Sequence, residues 1–278
     1  MRRKTTAVRI GNVVLSSEEP VLVQSMLNTS TREVDACVEQ AIRIIEAGGR
    51  LVRITAPGVK EAEMLGEIHR RLRERGYTTP ISADIHFVAE AASVAARYVE
   101  KVRINPGNFA DKRATFKKLT YTDEEYAAEL EILRQKFTEF LEVCRQYGTA
   151  VRIGTNHGSL SDRIMSRYGD TPAGMVEATM EYLRVCQACD FKDVVISLKS
   201  SDCRTMVDAV RLLVEKMEAE GMCYPLHLGV TEAGEGEDGR IRSAVGIGTL
   251  LNEGIGDTIR VSLTEEPEAE IPVACELA

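Results

Sequence analysis

Two hydrophobic rhythms alternate along the chain. Short, β-branched runs occupy residues 21–25, 51–55, 80–84, 101–105, 151–154, 193–198, 224–228 and 258–263. Between them, apolar positions recur at helical spacing, as at Val34, Val38, Ala41, Ile42 and Ile45 within 31–47. The other helical segments are 60–75, 87–98, 122–147, 172–188, 205–220 and 243–252. Glycine stops several of them, at Gly48-Gly49, Gly76, Gly148 and Gly221. Thr122 and Glu125 have the spacing of a capping box. Residues 7–15 alternate around Gly11-Asn12 and predict a β-hairpin. Residues 106–121 read as a basic loop, and 229–239 as a glycine-rich acidic one. Eight strands alternating with helices define the α/β class and a (β/α)8 TIM barrel spanning 1–278, with a short N-terminal β-hairpin.

The strands carry a repeated phrase. Val52-Arg53-Ile54, Val102-Arg103-Ile104, Val151-Arg152-Ile153 and Ile259-Arg260-Val261 each set an arginine between β-branched residues. Neighbouring strand side chains point to opposite faces, so helices covering the apolar face would leave every Arg aimed at the middle of the barrel. Guanidinium is a planar fork suited to phosphate and carboxylate, and a buried one needs a partner. Internal salt bridges would explain one such arginine. Four at matching positions point instead to an anionic ligand, a diphosphate above all.

The formal net charge of −8 argues against a general nucleic-acid or anionic-membrane partner and makes a local arginine cluster more telling. No apolar run is long enough to span a bilayer, and no apolar signal core follows the basic N-terminus. Seven scattered cysteines read as free thiols of a cytoplasmic protein. Cys186-x-x-Cys189 has no second pair at metal spacing, so no metal site is expected. Glu265-Glu266-Pro267 opens what looks like the closing helix. The chain then ends at Leu277-Ala278 without a helix stop, which suggests an excised piece of something longer.

In such barrels the active site lies at the C-terminal strand ends. Those ends carry Arg53, Asp84 with His86, Arg103 with Asn105, Arg152 with Asn156, Lys199, Glu232, and Arg260 with Ser262. Five cations face two carboxylates, so internal pairing cannot satisfy the ring. Asn105, Asn156 and Ser262 add neutral donors. His86 is a candidate proton donor or a histidine tied to a nearby carbonyl. Glu232 is an acid near substrate or a counter-ion for Arg260. His157 reads as a loop cap, His69 as solvated and His227 as core. Lys199 offers a rival chemistry, a Schiff-base aldolase or lyase acting on a phosphorylated substrate, which would require a lowered pKa.

The ordered phrases Val23-Gln24-Ser25-Met26, Ala83-Asp84-Ile85-His86-Phe87, Val102-Arg103-Ile104-Asn105-Pro106-Gly107-Asn108, Val151 through Leu160, Ser197-Leu198-Lys199-Ser200-Ser201, Gly229 through Gly234 and Gly256 through Leu263 resemble the 4-hydroxy-3-methylbut-2-enyl diphosphate synthase family of isoprenoid biosynthesis. The resemblance covers the whole chain. It implies an iron–sulfur oxidoreductase of the methylerythritol phosphate pathway whose barrel binds a cyclic diphosphate. Arg53, Arg103, Arg152, Lys199, Arg260 and Ser262 would then contact the diphosphate. Asp84, His86, Asn105, Asn156 and Glu232 would contact the carbon skeleton, with Glu232 or His86 as proton donor and Asp84 in the catalytic set. The family's [4Fe-4S] cluster, fed by ferredoxin or flavodoxin, sits in a C-terminal domain on three cysteines and a glutamate. Nothing in this chain matches that signature, so the chain alone is expected to bind substrate without turning it over. Glu235 through Arg240 resembles the plant and larger bacterial members, which carry an inserted domain. The family's members are homodimers.

Overall fold

The computed structural model describes residues 1–86, 88–111 and 120–278. Strands β1 (Val8–Ile10) and β2 (Val13–Leu15) form the expected antiparallel hairpin, turning at Gly11 with φ of 58°. The barrel follows as β3 (Leu22–Met26), α1 (Val34–Glu46), β4 (Leu51–Thr55), α2 (Val59–Glu74), β5 (Ile81–Asp84), α3 (Ala89–Ala95) and β6 (Lys101–Ile104). Then come α4 (Pro106–Phe109), α5 (Asp123–Tyr147), β7 (Ala150–Asn156), α6 (Asp162–Tyr168), α7 (Pro172–Ala188) and β8 (Val194–Lys199). The chain continues through α8 (Cys203–Ala219), β9 (His227–Leu228), α9 (Gly236–Asn252) and β10 (Thr258–Ile259). A 3-10 turn (Pro267–Ala269) leads into α10 (Glu270–Leu277).

The eight barrel strands are parallel and ordered β8-β7-β6-β5-β4-β3-β10-β9. A parallel bridge between Ile196 and Leu226 joins the two ends of that series and closes the barrel. The strand alternation decides what each face does. Val52, Ile54, Val102, Ile104, Val151 and Ile153 point outward into the apolar layer against the helices. Arg53, Arg103 and Arg152, on the opposite parity, point into the barrel and are buried. The floor is a separate apolar cluster in which hairpin residues Val8, Ile10, Val13 and Leu15 pack on Leu22, Leu51, Ala150 and Val195 at the N-terminal strand ends.

Several elements depart from the sequence reading. Within 106–121, α4 is a helical turn capped by Asn105, whose Oδ1 accepts from Gly107 N at 3.2 Å; residues 112–119 lie outside the described residues. Phe87, where a helix was expected to begin, also lies outside them, and α3 starts at Ala89. Helix α6 was not anticipated; it is short, and Ser161 caps it. Gly236 through Gly239, read as loop, form the first turn of α9. Strands β9 and β10 have only two residues in the ladder each. The run 224–228 overstates β9 at its start, where Leu226 makes only an isolated bridge to Ile196, and the run 258–263 overstates β10 at its end, where the chain leaves the ladder after Ile259. The capping box at Thr122 and Glu125 forms as read, and Gly148 closes α5 in the left-handed conformation.

Candidate anion-binding site

At the C-terminal strand ends lies a cavity of about 160 Å³ lined by Met26, Arg53, Asp84, His86, Arg103, Arg152, Asn156, Lys199, Thr231, Arg260 and Ser262. The alternation explains the convergence: Met26 pairs in register with Arg53, Asp84 with Arg103, Arg103 with Arg152, and Asn156 with Lys199. Register partners on adjacent strands share a face. A wider depression of about 580 Å³ shares Met26 and Arg260 with the cavity and opens towards Asn28, Thr264 and Glu265.

Asp84 is the hub. Its Oδ1 accepts from Arg103 Nη1 at 2.9 Å and its Oδ2 from Arg53, with Arg152 Nη2 at 3.9 Å. Burial opposes ionisation, yet the Arg103 and Arg53 guanidiniums outweigh it and hold the carboxyl well below its usual range. Asp84 is therefore a fixed carboxylate that orients arginines, not a source of protons. His86, half-buried, places Nε2 3.3 Å from Asp84 Oδ1, and both ring nitrogens lie 3.0 Å from Arg103 Nη1. It is thereby tied to the ion-pair hub. Arg103 Nη2 also donates to Gly154 O at 2.8 Å.

Three further sequence assignments change. Glu232 is exposed, with φ of 52°, and stands outside the cavity lining; its neighbour Thr231 lines the cavity instead. The counter-ion of Arg260 is Glu270, on the last helix, with two contacts of 3.0 Å. Asn105 is buried in a tether: besides capping α4, its Nδ2 donates to Ser159 Oγ at 3.0 Å. Outside the site, His69 pairs with Glu100 at 2.8 Å rather than standing solvated. His157 does tie its loop, with Nε2 3.2 Å from Asp170 O. His227 is buried, but inside the barrel among cations, with both ring nitrogens lacking a hydrogen-bond partner.

The sequence reading also missed Lys101, a fully buried cation two residues before Arg103 and on the same face. The barrel interior thus holds Arg53, Lys101, Arg103, Arg152, Lys199 and Arg260 against Asp84 and Glu270, among the described residues. The imbalance is larger than the sequence indicated. It also leaves donors unused. Arg53 Nε and Nη1, Arg103 Nε, Arg152 Nε and Nη2, and Lys101 Nζ are buried without hydrogen-bond partners. Burial and the neighbouring guanidiniums push Arg152, Lys101 and Lys199 down from their ordinary values. Each uncompensated buried cation costs several kcal/mol, a cost that an anion in the cavity would relieve.

The thiols do not make a second site. Cys144 and Cys186 are buried in the apolar layer, where burial pushes each thiol up, and among the described residues no three His, Cys, Asp or Glu side chains converge as a metal would require.

An eight-stranded parallel α/β barrel whose strand ends present a surplus of buried cations is a TIM barrel with a candidate anion site at its mouth. This chain belongs to the GcpE TIM-barrel domain family, whose profile matches residues 5–275. It is similar to the 4-hydroxy-3-methylbut-2-en-1-yl diphosphate synthase (flavodoxin) of Parabacteroides distasonis, with 64% identity over 276 residues, 99% of this chain and 45% of that protein. It is 53% identical over 278 residues to the chloroplastic, ferredoxin form of Arabidopsis thaliana, covering all of this chain and 38% of that one. The chain therefore spans less than half the length of these curated relatives. Among solved structures, a Yersinia pestis dihydropteroate synthase covers 98% of this chain and 97% of its own, with a TM-score of 0.62 at 12% identity, which shows a shared fold.

Proposed function

We propose that this barrel binds 2-C-methyl-D-erythritol 2,4-cyclodiphosphate for its reductive conversion to 4-hydroxy-3-methylbut-2-enyl diphosphate. The observation that carries this reading is the surplus of buried cations converging on one cavity with unused donors. The relatives' printed names supply the product and the electron donors, and the cavity's chemistry suits a diphosphate. A cyclic diphosphate presents two ionised phosphate oxygens, a match for guanidiniums that Asp84 and Glu270 leave under-compensated. Arg103, Arg152, Lys199, Arg260 and Ser262 would hold the diphosphate. Asn156, and His86 beside the Asp84 hub, would face the carbon skeleton. Glu232 would reach substrate only from the rim, as a proton donor that swings in.

The relatives named for flavodoxin and ferredoxin point to electron delivery by those proteins. A [4Fe-4S] cluster in a C-terminal domain, acting in a homodimer, would take up the electrons. The described residues of this chain do not fit such a cluster, so its own part is to bind, orient and neutralise the substrate. Seven free thiols suit a reducing, cytoplasmic setting. Family membership does not favour a Schiff-base role for Lys199.

Calorimetric titration with the cyclic diphosphate tests the reading. Saturable binding is expected, weakened by about 1.5–3 kcal/mol in Arg152→Ala and again in Arg260→Ala, the range for one charge-assisted contact. Binding equally tight in both variants would refute it.

A further inference from the structure

Beneath the cavity, the barrel contains a buried base that the binding argument does not use. Lys101 leaves β6 on the same face as Arg103 but two residues deeper, and its side chain is fully enclosed with no hydrogen-bond partner for Nζ. The groups that face it are mostly cationic. Arg152 of β7 and Arg53 of β4 oppose its charge, and Asp84 of β5 alone favours it. His227 of β9 lies close enough to feel Lys101 and is itself buried without partners. The inward groups of β3, β8 and β10 near the floor are neutral: Gln24 Nε2 donates to Thr258 Oγ1 at 2.6 Å, and Ser197 Oγ accepts from Arg152 Nη1 at 2.8 Å. Below these lies the apolar plug formed by the hairpin.

An ammonium in that position has cations beside it, no acceptor and no solvent. Its neutral amine escapes the repulsion and the far larger cost of burying an ion, and keeps only that of an unpaired polar group. Lys199 differs because it lines the cavity, where solvent or ligand can meet its charge. A dianion seated above Lys101 reverses the sign of the local field, which favours the charged form. We infer that the barrel takes up its anion together with a proton, and that Lys101 is the positioning residue that receives it. A solvent proton bonds to the Nζ lone pair as the dianion enters, so the site changes by one net charge rather than two. The new ammonium strengthens the field that holds the anion without touching it. Burial and the same two guanidiniums already hold Lys101 well below the ordinary lysine range in the free protein.

The inference rests on the diphosphate reading of the cavity, and one experiment separates the two. The chain is titrated with the cyclic diphosphate near neutral pH in buffers of different ionisation enthalpy. Each phosphate of this ligand carries one strongly acidic oxygen, so the ligand exchanges no proton itself near neutrality. The buffer dependence of the heat then counts protons taken up by the protein. Wild type is expected to take up about one proton per ligand, and its affinity to fall by up to roughly tenfold per pH unit as pH rises. Lys101→Met and Lys101→Gln are expected to bind with little uptake and a flat pH profile, which a merely structural role for Lys101 would not produce. Binding by wild type without proton uptake overturns the inference and leaves the diphosphate reading standing. Uptake that persists in both Lys101 variants, but disappears in His227→Asn, overturns the assignment to Lys101. No binding by wild type overturns the diphosphate reading and this inference with it.

Discussion

Glu270 holds Arg260 at two points, accepting from Nε on one carboxylate oxygen and from Nη2 on the other, each at 3.0 Å. The same carboxylate accepts from Ser25 Oγ at 2.6 Å and from Leu263 N at 3.1 Å. The closing helix thereby aims one of the cavity's cations and ties β3 to the segment after β10. Glu270→Ala should lower stability by about 3 kcal/mol, the lower end of the cost of stripping the partner from a buried charge, since Arg260 keeps some exposure. Urea unfolding would show it as a lower midpoint at unchanged slope. An unmoved midpoint would mean that the helix is held by its apolar face alone.

Asp84 predicts an acid-side signature. Its folded pKa is depressed, so it contributes stability that is complete above the unfolded value of about 3.9 and is lost as pH falls through the folded value. Asp84→Asn should therefore be less stable than wild type near neutrality by about 3–5 kcal/mol. That gap should narrow below about pH 4. Equilibrium unfolding at several pH values checks both parts, and a gap that does not depend on pH would rule out the ion-pair account.

Lys101 carries the opposite dependence. A base with a depressed folded pKa binds fewer protons folded than unfolded, so the free protein should gain stability as pH rises from the folded value towards about 10.4. Lys101→Met should flatten that rise, as melting temperatures from neutral to alkaline pH would show.

Glu232 sits at φ of 52°, a conformation that suits glycine. Glu232→Gly should raise stability by about 0.5–1 kcal/mol, whereas Glu232→Ala should not. If the full-length enzyme loses turnover with the glycine variant as it gains in melting temperature, the strain is there for the carboxylate's sake.

Gly154 makes room for Arg103. A Cβ at that position would lie 2.5 Å from Arg103 Nε and 3.2 Å from Ser197 Oγ. Gly154→Ala should displace the guanidinium and weaken diphosphate binding by about 1.5–3 kcal/mol, with the barrel's circular dichroism retained. Wild-type affinity in this variant would show that Arg103 is not aimed by its neighbour strand.

The barrel and the convergence of Arg53, Arg103, Arg152 and Arg260 were legible because strand alternation is a local rule that needs no knowledge of long-range contacts. Lys101 was equally legible in principle, since it shares parity with Arg103, but it lacks the flanking β-branched pair that marked the arginines. Glu270 was not legible. Its role depends on how α10 folds back against β3, a relation between segments more than two hundred residues apart. Glu232 was placed near the site by its position after the seventh barrel strand, but its exposure and its left-handed backbone, with Thr231 lining the cavity in its stead, depend on a turn that strand alternation does not describe. Asn105 was assigned by its neighbour Arg103, although the Pro106 that follows it already marks a helix cap.

Among the described residues, the hairpin packed against Leu22, Leu51, Ala150 and Val195 stoppers the N-terminal end of the barrel and leaves the cavity opening at the other. Whatever enters must leave by the same route. For the ligand proposed above, arrival and departure would then share a single passage, so a bound anion would have to leave before another could take its place.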